Sequence, residues 1–414
     1  MTSFFIQSFG CRVNQAEAFC WADEFQRKGL RYEKDFFKSD LVIINTCTLT
    51  SRADRDVRSF IRRVSRLNPE AKLIVTGCFV ERAPEELKVL PKAWQVYSNQ
   101  EKIELPEGIL ACVNTSKGDF IMPYRSRPLV KIQDGCDFAC TFCIIPRVRG
   151  GSISYPQERI LELVKGYINR GFREIILTGI HLCLYGRDMQ PKSSLLNLLE
   201  AVSGLKGLER IRLSSLDPRF MDSALLEYLG SNHKIVPHFH LSLQHGSDKI
   251  ISQMGRKIKV ADYRAILEFL HSGSPSAALG ADIIVGFPGE TEEDFQDMYS
   301  FLEKSLLTYL HVFSFSPRPG TPAAGWPQVN SKVRKKRSEL LRALSKEKRA
   351  LFLRRFLGKK LEAVVIKKAK NGARVLTGNY IEVFVPDCSV EAGGLVQVRL
   401  NEISGDEVLG EVNG

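Results

Sequence analysis

Four short apolar runs in the first third of the chain each deliver a cysteine. "SFFIQSFGC", "VIINTC" and "LIVTGC" put Cys11, Cys47 and Cys78 directly behind strand-like runs, and "LVKIQDGC" ends on Cys136, which opens a C-x3-C-x2-C set with Cys140 and Cys143. Apolar runs this short, closed by Gly or Thr, read as buried strands, while "AEAFCWADEFQRKG" and "RADRDVRSFIRRVSRLNP" carry the period of amphipathic helices. Strands that alternate with helices run parallel, because each crossover returns the chain to the same end of the sheet. Residues 1–105 therefore predict a small doubly wound parallel-sheet α/β domain. Loops at the carboxyl ends of neighbouring strands converge in such a sheet, and ligands bind there. Three thiols 36 and 31 residues apart in sequence can meet at that edge.

Residues 106–127, with "LPEG" and "MPYRSRP", read as a linker. The alternation resumes over 128–330 with strands at "LVKIQ", "EIILTG", "RIRLSS", "HFHLSLQ", "AALGADIIVGF" and "YLHVFSFS". Six strand-helix units make a partial (β/α)6 barrel, whose active groups belong at the C-terminal ends of the strands. The C-x3-C-x2-C loop follows the first of these strands. Residues 331–357 form a basic helical region. From Lys332 to Lys360 there are thirteen Lys or Arg against two acids, Glu339 and Glu347, so nearly all of the formal net charge of +12 sits there. A charge run is often a solvated helix face, but a single sign without interleaved acids suits a polyanion such as RNA better. Residues 358–414 alternate in short runs between Gly, Asn and Asp turns and predict a small all-β barrel, a type that binds looped nucleic acid or serves as a structural appendage.

No run has the length of a membrane span, and the first residues lack the charged start and apolar run of a signal peptide, so a cytoplasmic protein with no membrane partner is expected. Ten cysteines in a reducing compartment are read as metal ligands, catalytic groups or small buried hydrophobes before disulfides. A closed structural zinc site needs four ligands, and catalytic zinc mixes Cys with His or carboxylate. Three thiolates around iron and sulfur fit the C-x3-C-x2-C set better and leave one iron of a four-iron cluster open to outside ligands. Cys11, Cys47 and Cys78 taken alone are equally readable as buried packing groups, and the presence of a second triad favours ligation. His238 and His240 share one face of a strand and read as interior packing or hydrogen-bonding groups rather than metal ligands. Cys20, Cys112, Cys183 and Cys388 have no partner at ligand spacing, with Cys183 nearest the expected active mouth.

With these features the chain resembles the radical S-adenosylmethionine (SAM) superfamily, and within it the methylthiotransferases. "FGCRVNQAEA", "NTCTLT", "GCDFACTFCIIPRVRG", "LTGIHLCLYG", "RIRLSSLDP", "HFHLSLQHGSD", "DIIVGFPGET", "VFSFSPRPGTPAA" and "LTGNYIEVFV" carry the likeness over nearly the whole chain, and "GCRVNQ" with "GIHL...YG" is most similar to the branch acting on N6-threonylcarbamoyladenosine at position 37 of tRNA. The resemblance implies two 4Fe-4S clusters, one on Cys136, Cys140 and Cys143 that cleaves SAM to a 5′-deoxyadenosyl radical, and a second on Cys11, Cys47 and Cys78 that delivers sulfur. It implies a TRAM-like C-terminal domain, the tRNA anticodon loop as substrate, a reductant such as flavodoxin or ferredoxin, and a sulfur donor. SAM then needs polar contacts at strand ends, for which Thr178, Gly179, Ser214, Ser215, Gln244 and Gly286 are candidates, although Ser and Thr also form turns there.

Arg147 and Arg149 follow the cluster loop and either meet the tRNA backbone or balance the cluster's charge. The family commonly adds further arginines after the Arg-Gly pair, whereas this chain continues "GGSISYP", with Gly151, Ser152 and Ser154 uncharged. Two other readings stay open from sequence. One is the same chemistry on N6-isopentenyladenosine or on an aspartate of a ribosomal protein, and the other is a non-catalytic RNA-binding scaffold with structural zinc.

Overall fold

The computed structural model describes residues 2–88, 90, 93–111, 126–405 and 407–412. Most of the expected linker over 106–127, together with Cys112, lies outside them. The chain forms two compact units that do not follow chain order: one joins residues 1–125 with 134–153 and 316–324, and the other holds 126–133, 154–315 and 325–414.

The first unit is built on five parallel strands, β1 (Ser3–Ser8), β2 (Arg31–Tyr32), β3 (Leu41–Thr46), β4 (Lys72–Gly77) and β5 (Gln95–Tyr97), in the order β2-β1-β3-β4-β5. Two-residue alternation divides the strands between two cores. Phe4, Ile6, Leu41, Ile43 and Ile74 pack with Trp21 and Phe25 of the helix Arg12–Arg27, while Val42, Ile44, Leu73 and Val75 pack with Val57, Ile61 and Val64 of the helix Ser51–Leu67. Helices on both faces make the sheet doubly wound, and this strand order reverses direction between β1 and β3. Thr50 caps the second helix by accepting from the Ala53 N–H at 3.1 Å.

The second unit carries six parallel strands of a partial barrel. β6 (Leu129–Asp134), flanked by the two-residue β7 (Ile153–Ser154), pairs with β8 (Glu174–Gly179), which pairs with β9 (Arg210–Leu213). β10 (His238–Gln244), β11 (Ala278–Val285) and β12 (Tyr309–Ser314) continue the curve, joined to the first set by a bridge between Leu216 and Leu241. The face of β8 and β9 near their start is a buried ion cluster, in which Glu174 pairs with Arg210 Nε at 2.8 Å, Arg212 Nε at 2.9 Å and Arg127 at 3.3 Å. Burial pushes the Glu174 carboxyl up, but Arg212, Arg210 and Arg127 hold it down at about 2. Five C-terminal strands, β13 (Lys360–Ala369), β14 (Gly372–Thr377), β15 (Glu382–Pro386), β16 (Leu395–Ser404) and β17 (Glu407–Val412), close into a small barrel as expected. Arg212 also donates to the Thr377 and Gly378 carbonyls of that barrel at 3.1 and 3.0 Å.

Candidate active site and cluster sites

Cys11, Cys47 and Cys78 leave the carboxyl ends of β1, β3 and β4, three strands adjacent in the sheet. Two of them follow glycines in the left-handed region, Gly10 at φ +83° and Gly77 at φ +98°. A Cβ on Gly10 would come within 2.3 Å of the Cys47 sulfur, so that thiol lies directly against the backbone that presents Cys11. A Cβ on Gly77 would meet the Thr46 carbonyl at 2.5 Å, so the chain before Cys78 is pressed onto the chain before Cys47. Burial raises the Cys11 thiol, and it pushes that of Cys47 up to about 12 with the neighbouring Cys11 and Cys78 adding to the effect. Cys47 and Cys78 are buried and Cys11 is partly exposed, with the thiols close enough to act on one another electrostatically. An all-sulfur donor set at a sheet's ligand-binding edge fits an iron-sulfur cluster by its chemistry.

Around these thiols lies a polar frame that the sequence does not single out. Arg149, fully buried, donates from Nε to Cys78 Sγ at 3.3 Å, to both Asp134 oxygens at 2.7 and 2.8 Å, to Glu17 at 3.2 Å, and to Asn14. Burial would lower its pKa, but Glu17, Cys78, Asp134 and Cys11 hold the guanidinium charged well above its ordinary value. Glu17 also takes Lys102 Nζ at 2.7 Å and Asn45 at 2.9 Å. Asn14 donates to the Phe9 and Thr46 carbonyls at 2.9 and 2.8 Å, tying the chains just before Cys11 and Cys47 together. Of the two readings for Arg149, the one that balances charge at the thiols matches this burial, and contact with tRNA does not. The signals available in sequence were Asn14 and Glu17, polar residues set among the apolar positions of a helix.

Cys136, Cys140 and Cys143 occupy the loop after β6, all partly exposed. Gly135, at φ +67°, turns the chain into it so closely that a Cβ would fall 1.8 Å from the Gly151 carbonyl oxygen. The Cys136 N–H donates to Gly150 O at 3.1 Å, the Cys143 N–H to Cys140 O at 3.0 Å, and the Ala323 N–H to Thr141 O at 2.9 Å. Gly151 and Ser152 have a local use: a Cβ on Gly151 would stand 2.9 Å from the Asp137 carboxylate, and the Ser152 N–H donates to Asp137 at 2.9 Å.

In the second unit, Thr178 and Ser214 lie near the carboxyl ends of β8 and β9. The Ser214 N–H donates to Leu177 O at 3.0 Å, and alternation puts Ser214 on the side of Arg212 and Thr178 on the side of Glu174, the face of the ion cluster. Both hydroxyls are buried with no hydrogen-bond partner among the described residues. Gly179 packs against Gln133, whose Oε1 accepts the His181 N–H at 2.8 Å. Ser215 is exposed, and Gln244 ends β10 at φ +78° after a register shift. Gly286 departs from the rest: its N–H donates to Glu290 at 2.7 Å and Arg334 Cγ lies 2.1 Å from where a Cβ would stand, so it supplies room for Arg334. Asp217, after β9, is surrounded by His181 at 3.2 Å, Arg219 at 2.7 Å and Arg256 at 3.1 Å. Burial pushes the nearby Cys183 thiol up to about 12, which suits an inert packing group, and Cys388 is buried in the β barrel.

The basic window is one helix, Ser331–Arg354, followed by a short turn, and its charges divide. Arg337 is buried on Glu290 at 2.6 Å and Glu292 at 2.8 Å, Arg349 donates to Tyr380 O at 2.6 Å, and Lys348 and Arg334 bond backbone carbonyls at 2.8 and 2.7 Å. Lys332, Lys335, Lys336, Arg342, Lys346 and Arg354 stay exposed and keep the surface positive. Among the described residues no helix is long and apolar enough to cross a membrane.

The family model described as Radical SAM superfamily matches residues 130–302, and one described as Uncharacterized protein family UPF0004 matches residues 3–97. A radical SAM domain brings one four-iron cluster and SAM as its cofactors. Among solved structures, a radical SAM methyltransferase, TsrM, from Kitasatospora setae shares the fold at a TM-score of 0.57 and 14% identity, over 78% of this chain and 77% of that one. Proteins named threonylcarbamoyladenosine tRNA methylthiotransferase MtaB are similar throughout: that of Aquifex aeolicus is 37% identical over 95% of this chain and 99% of its own, and that of Bacillus subtilis 32% over 97% and 94%. A tRNA-2-methylthio-N(6)-dimethylallyladenosine synthase from Zymomonas mobilis is 30% identical over 99% of this chain and 96% of its own. Similarity of this extent, over a sheet that presents three cysteines and a barrel strand that leads into three more, makes the chain a member of the radical SAM methylthiotransferase family.

Proposed function

We propose that this protein places a methylthio group on C2 of N6-threonylcarbamoyladenosine in the anticodon loop of tRNA, with one 4Fe-4S cluster on Cys136, Cys140 and Cys143 and a second on Cys11, Cys47 and Cys78. The observation that carries the reading is the pair of cysteine triads within one compact unit, each at the carboxyl end of parallel strands. When bound, the first cluster supplies the electron that splits SAM into methionine and a 5′-deoxyadenosyl radical, and the second supplies sulfur. The chain's own residues then have separable tasks. Gly10 and Gly77 let the backbone close on the second set, and Arg149 keeps a positive charge against its thiolates. Thr178 and Ser214, whose hydroxyls have no partner among the described residues, hold SAM in register with the barrel. The exposed lysines and arginines of the helix Ser331–Arg354 draw in the tRNA backbone, and the adjoining β barrel is of a type that grips looped RNA. A reductant such as flavodoxin or ferredoxin and a sulfur donor complete the reaction, which belongs in the cytoplasm with its tRNA.

The threonylcarbamoyl branch is supported by the names of the full-length relatives. The test uses reconstituted protein, SAM, a reductant and tRNA carrying either N6-threonylcarbamoyladenosine or N6-dimethylallyladenosine. Methylthiolation of the first alone supports the proposal. Methylthiolation of the second alone moves the protein to the sister branch, and 5′-deoxyadenosine formed with neither tRNA modified refutes a tRNA substrate.

A further inference from the structure

We propose that His240, Asp282 and His311 form a binding site for one divalent transition-metal ion, a site that uses none of the cysteines. The three residues are 42 and 29 positions apart in sequence and make no motif. The sheet brings them together: they stand on β10, β11 and β12, where the register pairs His240 with Gly280 and Asp282 with His311. His240 Nε2 is 2.9 Å and His311 Nδ1 3.5 Å from Asp282 Oδ1, and the three donor atoms lie within 4.8 Å of one another. Ligands about 2.1 Å from a tetrahedral ion stand about 3.4 Å apart, so little movement is needed to close on a metal.

The surroundings fix which nitrogen faces the centre. Gly280 has no side chain, and the Tyr309 ring fills its place, passing 2.1 Å from where a Cβ would be. The Tyr309 hydroxyl therefore reaches His238 Nε2 at 2.7 Å and His240 Nδ1 at 3.1 Å. His240 is buried, and its Nε2 stands 2.9 Å from Asp282 Oδ1, close enough for the carboxylate to take the ring N–H when no ion is bound. A bound metal ion would take the place of the Nε2 proton: with the ring's remaining proton on Nδ1 and donated to the Tyr309 oxygen, Nε2 presents its lone pair to the ion. The imidazole nitrogen and the Asp282 carboxylate then share the cation, with Tyr309 as the outer partner that holds the imidazole tautomer. The His311 side chain is 54% exposed, so the solvent side stays open to water or a substrate oxygen. Two imidazoles and one carboxylate select zinc, iron(II) or manganese over magnesium or calcium.

The test equilibrates the anaerobically reconstituted protein with zinc, removes unbound ion by gel filtration, and measures zinc, iron and sulfide per chain. The proposal expects one zinc per chain beyond the clusters, at least tenfold less in His311→Ala and in Asp282→Asn, with iron and sulfide unchanged in both. His311→Ala alters a half-exposed side chain and leaves the core intact. A crystal of the wild-type protein measured at the zinc edge gives a second readout, an anomalous peak between His240 and His311. Wild-type protein without the extra zinc, or zinc retained by both variants, overturns the assignment.

Discussion

Replacing Arg149 with Leu isolates what one buried cation does for the Cys11, Cys47 and Cys78 set, proposed above to hold the second cluster. The guanidinium makes charged hydrogen bonds to Asp134, Glu17 and Cys78, and removing one partner of a buried ion pair costs about 3–5 kcal/mol when the remaining charge is stranded. Here the stranding is partial. Glu17 keeps Lys102 at 2.7 Å and Asn45 at 2.9 Å, and Asp134 is 17% exposed and still accepts the Gly135 N–H at 2.8 Å. The lower end applies, about 3 kcal/mol, or roughly a hundredfold in the unfolding equilibrium. Anaerobic urea denaturation followed by the fluorescence of Trp21, buried in the same unit, reads that loss. Iron analysis of the variant reads the local consequence, a lower occupancy of the Cys11, Cys47 and Cys78 set with the C-x3-C-x2-C set retained. Arg149→Lys, which keeps the charge but not the fork, falls between the two. A destabilisation under about 1 kcal/mol with full iron content would refute the role given to this residue.

Four shorter tests follow from the same geometry. Cys47→Ala removes one ligand from the second set, so reconstituted protein should carry about half the wild-type iron and still form 5′-deoxyadenosine from SAM; loss of SAM cleavage with the first cluster intact would contradict the division between the sets. Gly10→Ala pushes a methyl group onto the Cys47 sulfur and strains a positive-φ position, and iron content should fall as in Cys47→Ala. Thr178→Val removes a buried hydroxyl that has no partner among the described residues, so calorimetry should show SAM binding weakened about tenfold with the melting temperature unchanged; a large drop in melting temperature would show the hydroxyl to be structural. Glu174, held at about 2 against an ordinary 4.5, contributes stability above pH 4.5 that is lost as pH falls toward 2. Glu174→Gln should therefore cost roughly 3 kcal/mol at neutral pH and flatten the acid limb of the stability profile, and an unchanged profile would argue against this ion cluster.

Much of this architecture could be read from local pattern because the parallel strands are buried on both faces. "VIINTC" and "LIVTGC" are continuous apolar runs with a fixed exit, so each cysteine's place at the sheet edge followed from its strand. The short edge strands Arg31–Tyr32 and Gln95–Tyr97 were not legible, since two or three residues of mixed polarity carry no period. Neither was the role of Arg149: its partners Asn14, Glu17 and Cys78 come from distant segments, and only the fold makes them neighbours. The basic window misled in part for the same reason. Composition counts every Lys and Arg alike, while packing turns Arg334, Arg337, Lys348 and Arg349 inward to satisfy carbonyls and carboxylates. His240 looked like a packing group on a strand face, and Asp282 and His311 joined it only once three strands were laid side by side.

The substrate proposed for this protein is a tRNA adenosine, and the nucleosides of cellular tRNA report on it directly. Mass spectrometry of digested tRNA from cells with and without this gene should show 2-methylthio-N6-threonylcarbamoyladenosine disappear and its unthiolated precursor accumulate. The modification should return with the wild-type gene but not with Cys140→Ala or Cys47→Ala. An unchanged level of that nucleoside in the deletion would contradict the account, whatever the isolated protein does with SAM.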